Sequence, residues 1–208
     1  MSRKFNFGCL TVLVILWYIF LSVILHAQGK LPLPCVNPDT PETLDNKTYC
    51  VVYRPDLGIP SRVDWIITDS LMGSVKRTPA FRFKADGRTP RPRITSALYS
   101  RSDYQRGHMC PAADRSASKD LMRSTFLMSN ICPMTPSLNT GAWKVTEDAG
   151  RALARRGHKV HVTAGPLFFP QDTTWIGGHR VAVPHAFIKF MWTDDELHFY
   201  RFWIIGNK

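Results

Sequence analysis

One segment of this chain has the pattern of a long helix, and short runs with the pattern of strands lie on both sides of it. Residues 140–156 form the helical segment; Asn139 or Thr140 can cap its start, and Gly157 follows where a left-handed residue commonly ends a helix. The strand candidates are residues 49–53, 63–68, 125–130, 158–163, 181–192 and 197–205, the last two joined as a hairpin by 193–196. This arrangement predicts an α+β domain built on an antiparallel sheet.

The first 27 residues differ from the rest of the chain. Arg3 and Lys4 precede an uncharged apolar run, residues 8–25, and the small residue Ala27 follows it. The pattern fits a cleaved signal peptide, and the run is also long enough to anchor the chain in a membrane if it stays uncut. In both cases the positive end stays in the cytoplasm, so we expect an exported protein: periplasmic, secreted, or anchored with its domain outside the cytoplasm. Residues 28–48 are then an irregular lead-in, and residues 49–208 form the domain.

Four cysteines lie in the exported part, after Cys9 in the apolar run. An oxidising compartment permits disulfides between them, and proximity in sequence favours Cys35–Cys50 and Cys110–Cys132. Free buried thiols are the alternative. A zinc site that combines Cys110, Cys132 and a histidine is a further one, although no CxxC spacing supports it.

The chain is strongly basic. Lysine and arginine number 27 against 16 aspartates and glutamates, for a formal charge of +11. Such an excess favours a polyanionic partner, because neutralising phosphates releases counterions. Residues 73–95, which are basic and interrupted by prolines, are expected to form a surface loop that can contact a phosphate backbone. Plain solvation of these charges is the alternative reading.

Four side chains recur at every fourth position of the predicted helix. Asn139, Trp143, Glu147 and Arg151 therefore share one helical face. A solvated stripe with a Glu147–Arg151 pair would give the same spacing. The tryptophan favours a covered face, whose polar members then need partners.

A short upstream sequence, Arg106-Gly107-His108, supplies such partners. In a strand, Arg106 and His108 point to the same side, and Gly107 lets another group approach closely. A base, two cations, an amide and a carboxylate would then face one another. This is the set that hydrolysis of a phosphodiester needs.

The chemistry assigns a role to each of these groups. Neutral His108 is suited to activate water as a general base. The amide oxygen of Asn139 can hold Mg²⁺, which keeps most of its own waters, and Glu147 would hold those waters from outside. Arg106 and Arg151 would bind the scissile phosphate and its developing charge.

These residues resemble a known family. Arg106-Gly107-His108-Met109, residues 126–131, and Leu138-Asn139 with Trp143 and Glu147 are similar to the DNA/RNA non-specific endonucleases of the ββα-metal type, relatives of endonuclease G. The likeness is strongest over residues 103–151 and covers most of the exported part. It implies a central antiparallel sheet with the metal-bearing helix packed beside it. It also implies cleavage of DNA and RNA with Mg²⁺, or with Mn²⁺ or another divalent ion.

The resemblance also implies the site residues by position. His108 is the general base and Asn139 the sole direct protein ligand of the metal; Arg106, Glu147 and Arg151 complete the site, and Asn130 lines it.

Two positions depart from the family pattern. Gln105 stands where the family usually has aspartate before Arg-Gly-His, and Met134 stands where glutamine is frequent. Three hypotheses follow: an active endonuclease, a nucleic-acid-binding protein that lost catalysis with the carboxylate at 105, and an exported structural domain. The sequence leaves the oligomeric state open between monomer and homodimer.

Overall fold

The computed structural model describes residues 43–169, 173–194 and 200–208. Its strands are β1 Thr43–Asp45, β2 Tyr49–Arg54, β3 Ile59–Ile67, β4 Gln105–His108, β5 Ile131–Met134, β6 Val160–Leu167, β7 Thr174–Ile176, β8 Val181–Val183, β9 Ala186–Thr193 and β10 Tyr200–Gly206. Its α-helices are α1 Lys119–Ser124 and α2 Trp143–Ala154, and a π-helical turn, Leu138–Ala142, leads into α2. Short 3-10 turns lie at Asp69–Leu71, Ser96–Tyr99, Ala112–Arg115 and Met128–Asn130.

Six strands form one antiparallel sheet in the order β1-β2-β3-β6-β9-β10. Alternating apolar residues of its central strands, such as Val63, Val160 and Val162, are fully buried. Two further pairs, β4 with β5 and β7 with β8, are separate two-stranded sheets. The predicted α+β fold on an antiparallel sheet is therefore confirmed.

The predicted pairing of the last two strands is also present, with β9 and β10 paired from Trp192–Tyr200 to Ala186–Gly206. Residues 195–199, which include part of the predicted turn and the start of the second predicted strand, lie outside the described residues. The run 181–192 is not one strand, however. It divides into β8 and β9 at Pro184, which has no N–H to donate to a ladder.

Helix α2 packs beside the sheet, as expected, through Trp143, whose ring centroid lies 5.5 Å from that of Phe187 in β9. Gly157 follows the helix with a φ of +94°, the left-handed conformation predicted for it.

The start of the helix was predicted wrongly. The side chains of Asn139 and Thr140 do not cap it, because they bond elsewhere: Asn139 to Gln105, and the Thr140 hydroxyl to the carbonyl of Pro136.

The strand predicted at 125–130 is absent. Helix α1, capped by the Ser118 side chain, ends just before Thr125, and the pairing strand β5 begins only at Ile131. The hydroxyl of Thr125 donates to the Met122 carbonyl, and its own carbonyl accepts from Asn130 Nδ2, so these residues close a turn instead.

The predicted irregular segment 28–48 includes one strand. Thr43–Asp45 pair with Val52–Cys50 at the edge of the sheet, because this register buries Leu44. The rest of that segment up to residue 42, and the predicted signal or anchor at 1–27, lie outside the described residues.

The basic segment 73–95 is a loop, as predicted, apart from a single bridge between Lys84 and Leu127. Within the described ranges, no helix has the length and apolarity needed to cross a membrane.

The cysteines divide differently from the prediction. Cys50 is disulfide-bonded, and its partner lies outside the described residues. Cys110 and Cys132 are both free and buried, so the predicted bond between them is wrong. Cys132 pairs with Gly107 in the β4–β5 register, three residues before Cys110. The β4–β5 register therefore places Cys132 opposite Gly107 and not opposite Cys110.

Candidate active site

A cleft of about 1050 Å³ lies between β4, the helix α2 and the segment 69–77. It brings together five of the six residues singled out from the sequence. Its lining includes Arg106, His108, Asn139, Glu147 and Arg151, together with Arg77, Phe83, Gln105, Lys144 and Arg155. The pair β4–β5 and the helix α2 thus form a ββα unit around the cleft.

Strand β4 presents Arg106 and His108 on one side, as predicted. The Arg106 guanidinium lies 5.1 Å from the Phe83 ring centroid, and the His108 ring lies 5.3 Å from it. Gly107 lies between them in the strand and packs closely against Met134 of β5. A Cβ at Gly107 would collide with the side chain of Met134, so the close approach expected of this glycine is real.

The imidazole of His108 is enclosed by aromatic rings. It is 9% exposed, and the Phe126 ring meets it edge-on at 4.8 Å. Its Nε2 is buried and has no hydrogen-bond partner among the described residues. Burial, and to a smaller extent the positive charge of Arg77, lower the pKa of His108 to about 3. The imidazole is therefore neutral near pH 7, which is the protonation state that a general base requires.

Asn139 belongs to the π-helical turn before α2, and its side-chain amide is hydrogen-bonded to a residue of β4. Asn139 Nδ2 donates to Gln105 Oε1 at 2.7 Å. Its Oδ1 accepts no hydrogen bond from the residues that the structure describes. An amide oxygen at the cleft wall is a suitable ligand for a hard cation such as Mg²⁺.

Glu147 and Arg151 follow one another along the cleft face of α2. Arg151 Nη1 lies 2.8 Å from Asp114 Oδ1 and 3.7 Å from Glu147 Oε2, and its Nη2 lies 2.6 Å from Asp148. Burial raises the pKa of the Glu147 carboxyl, while Lys189 acts in the opposite direction. The guanidinium is thus fixed in place by carboxylates at the edge of the cleft.

Asp114 is a member of this group to which the sequence assigned no role. It is fully buried, and its Oδ2 accepts from Trp65 Nε1 at 2.9 Å while Oδ1 accepts from Arg151. Asp114, Trp65 and Arg151 lie on three segments that are far apart in sequence and meet only in the folded chain. No local spacing in the sequence therefore predicts the role of Asp114.

Lys189 is a second such residue. It is fully buried in β9, with Nζ 3.6 Å from the Trp143 ring centroid and 2.8 Å from Thr146 Oγ1. Burial lowers its pKa, while the nearby Glu147 carboxyl raises it. A lone lysine within the apolar run 186–192 was the available signal, because a charge in a central strand needs buried partners.

Asn130 does not line the cleft, contrary to the expectation. It is fully buried behind β4, where Oδ1 accepts from the Cys110 N–H and Nδ2 donates to the carbonyls of Cys110 and Thr125. The geometry makes it a support for the segment that follows His108, because its short polar side chain satisfies backbone groups that β5 does not reach.

The cleft carries a surplus of positive charge. Five arginines and lysines line it against two carboxylates: Arg77, Arg106, Lys144, Arg151 and Arg155 against Asp69 and Glu147. In the described part of the chain, no three His, Cys, Asp or Glu side chains cluster as a metal site. The amide oxygen of Asn139 is a donor that a hydrated hard cation could use.

Comparison with known proteins agrees with this geometry. The model of the DNA/RNA non-specific endonuclease family matches residues 34–208. A nuclease of Nostoc sp. is 34% identical over 141 residues, which are 68% of this chain and 51% of that protein. Mitochondrial endonuclease G of Bos taurus is 31% identical over 164 residues, 74% of this chain and 55% of its own length.

Two further similarities cover more of the compared protein. Nuclease C1 of Cunninghamella echinulata var. echinulata is 34% identical over 179 residues, 79% of this chain and 71% of that protein. A chain in the crystal structure of the EndoG/EndoGI complex superposes with a TM-score of 0.73 at 26% identity, over 82% of this chain and 76% of that one. The chain spans about half the length of the Nostoc and bovine relatives.

Proposed function

Because this chain belongs to the DNA/RNA non-specific endonuclease family, we propose that it hydrolyses phosphodiester bonds in DNA and RNA with Mg²⁺, at the cleft between β4 and α2. One observation carries the proposal. The neutral imidazole of His108 lines the same cleft as the amide of Asn139, whose oxygen accepts no hydrogen bond from the described residues.

The chain's own residues divide the work. The His108 imidazole accepts the proton of the attacking water, and a phosphate in the cleft raises the pKa of the imidazole toward its ordinary range, which strengthens the base. Arg106 and Arg151 bind the scissile phosphate and the charge that develops on it. Glu147 accepts hydrogen bonds from hydration water beside Asn139.

The metal would be held by Asn139 Oδ1. When bound, the ion supplies polarisation of the phosphate and stabilisation of the departing oxygen. Gln105 is hydrogen-bonded to Asn139 on the β4 side of the cleft. Arg151, on the α2 side, is held by its ion pair with Asp114.

We place the protein outside the cytoplasm. Two observations support this: the basic start and apolar run of residues 1–27, and the disulfide at Cys50, a bond that persists in oxidising compartments.

The test is cleavage of supercoiled plasmid DNA and of ribosomal RNA by the purified chain, with Mg²⁺ and with EDTA. We expect both substrates to be cut with Mg²⁺ only, and His108→Ala to abolish cutting. His179→Asn is the matched control, because His179 lies away from this cleft and its φ of +59° suits asparagine. Salt-sensitive binding without cleavage by the unmodified chain would instead favour a nucleic-acid-binding protein without catalysis.

A further inference from the structure

Gln105 and Asn139 are 34 residues apart, yet their side chains meet in the cleft. Asn139 Nδ2 donates to Gln105 Oε1 at 2.7 Å. Gln105 begins β4, the strand of His108, and Asn139 lies in the turn that leads into α2. Gln105 therefore contacts the side-chain amide that the proposed function assigns as the metal ligand.

The direction of this hydrogen bond decides what the Asn139 amide can do. A side-chain amide has one oxygen acceptor and one N–H₂ donor group. When Nδ2 donates to position 105, Oδ1 is free to bind a cation. Two facing amides can also pair the other way, with Gln105 Nε2 donating to Asn139 Oδ1, and that pairing occupies the oxygen that a cation needs.

We propose that Gln105 is the positioning residue of Asn139: by accepting from Nδ2 it directs Oδ1 into the cleft as a cation ligand. The inference rests on the proposed function, since it takes Asn139 as the metal ligand. Groups outside the coordination sphere commonly orient a ligand in this way, and their loss weakens metal affinity.

A consequence concerns the chemistry of position 105. A glutamate there can only accept, so it excludes the pairing that blocks Oδ1, and it adds a negative charge beside the cation. A methionine has nearly the shape of glutamine but does not hold the amide. Glutamate should therefore tighten the site and methionine should loosen it.

The experiment measures Mn²⁺ binding by the purified chain through the electron paramagnetic resonance signal of free Mn²⁺, without substrate. We expect Gln105→Met to weaken Mn²⁺ binding about tenfold and Gln105→Glu to tighten it about threefold or more. Both side chains are at the surface or half-buried, and circular dichroism checks that each variant is folded.

Asn139→Ala separates the two possible failures. If Asn139→Ala loses Mn²⁺ affinity while Gln105→Met binds like the unmodified chain, the positioning role is wrong and the metal site stands. If Asn139→Ala binds Mn²⁺ like the unmodified chain, the metal site of the proposed function is itself wrong. Weakening in both variants, with tightening in Gln105→Glu, supports the inference.

Discussion

The indole N–H of Trp143 donates to the carbonyl oxygen of His108 across 3.0 Å, and both residues are buried. This bond joins the first turn of α2 to the end of β4. A hydrogen bond in the core therefore joins the helix that carries Glu147 and Arg151 to the strand that carries His108.

Replacing Trp143 by phenylalanine tests this junction. The ring that packs on Phe187 is largely kept, but the buried carbonyl of His108 loses its donor. We expect the free energy of unfolding to fall by about 1–3 kcal/mol, the usual penalty for an unsatisfied buried group. Urea unfolding measures it. Trp175→Phe, at a half-buried position with no such bond, should change stability by less than about 0.5 kcal/mol.

The pH dependence of stability follows from the burial of His108. Its folded pKa of about 3 lies below the ordinary value of 6.5, so the unfolded chain binds more protons than the folded one between these limits. Stability from this residue is therefore full above about pH 6.5 and is lost as the pH falls toward 3, with a slope approaching about 1.4 kcal/mol per pH unit.

The measurement is urea unfolding of the unmodified chain and of His108→Gln from pH 7 to pH 4. The glutamine variant should lose less stability over this range, because its side chain does not titrate. Parallel curves for the two proteins would show that His108 is not held neutral by the fold.

The ion pair between Arg151 and Asp114 should matter far more than an exposed pair. Arg151→Met leaves the fully buried Asp114 carboxylate without its cation, and we expect a loss of about 3–5 kcal/mol of stability. Arg123→Met removes the exposed pair with Asp120 on α1 and should cost less than about 1 kcal/mol. Similar losses in the two variants would contradict this account of the buried pair.

Arg155 and Arg156 are adjacent in sequence but differ in their position relative to the cleft. Both are exposed at the end of α2, but only Arg155 lines the cleft. With EDTA present to prevent cleavage, Arg155→Ala should weaken DNA binding and reduce the slope of log affinity against log salt by about one. Fluorescence anisotropy measures both quantities. Arg156→Ala should leave the slope near that of the unmodified chain, and equal effects would argue against the cleft as the path of the phosphates.

The parts of the site that follow from local spacing could be predicted from the sequence. The four-residue repeat from Trp143 to Arg151 forms one helical face, and Arg106 and His108 lie on one side of β4, because these relations depend only on helix and strand geometry. The antiparallel sheet followed from apolar runs of strand length.

The remainder depends on register between distant segments. The contacts of Asp114 with Trp65 and of Lys189 with Thr146 join residues 49 and 43 positions apart. Asn130 was misplaced because its family position does not reveal that its amide satisfies backbone groups. The start of α2 was misplaced because Asn139 bonds across the cleft instead of capping the helix. Each case is a tertiary contact that overrides a local preference.

The central claim is that His108 supplies the base while Asn139 holds the ion, and one pair of measurements on two variants separates these roles. Single-turnover cleavage of a DNA duplex with Mg²⁺ and Mn²⁺ binding without DNA are measured for His108→Ala and Asn139→Ala. The account predicts that His108→Ala cuts at least about a hundredfold more slowly yet binds Mn²⁺ like the unmodified chain, whereas Asn139→Ala loses both. Cleavage by His108→Ala at the unmodified rate, or unchanged Mn²⁺ affinity in Asn139→Ala, would contradict it.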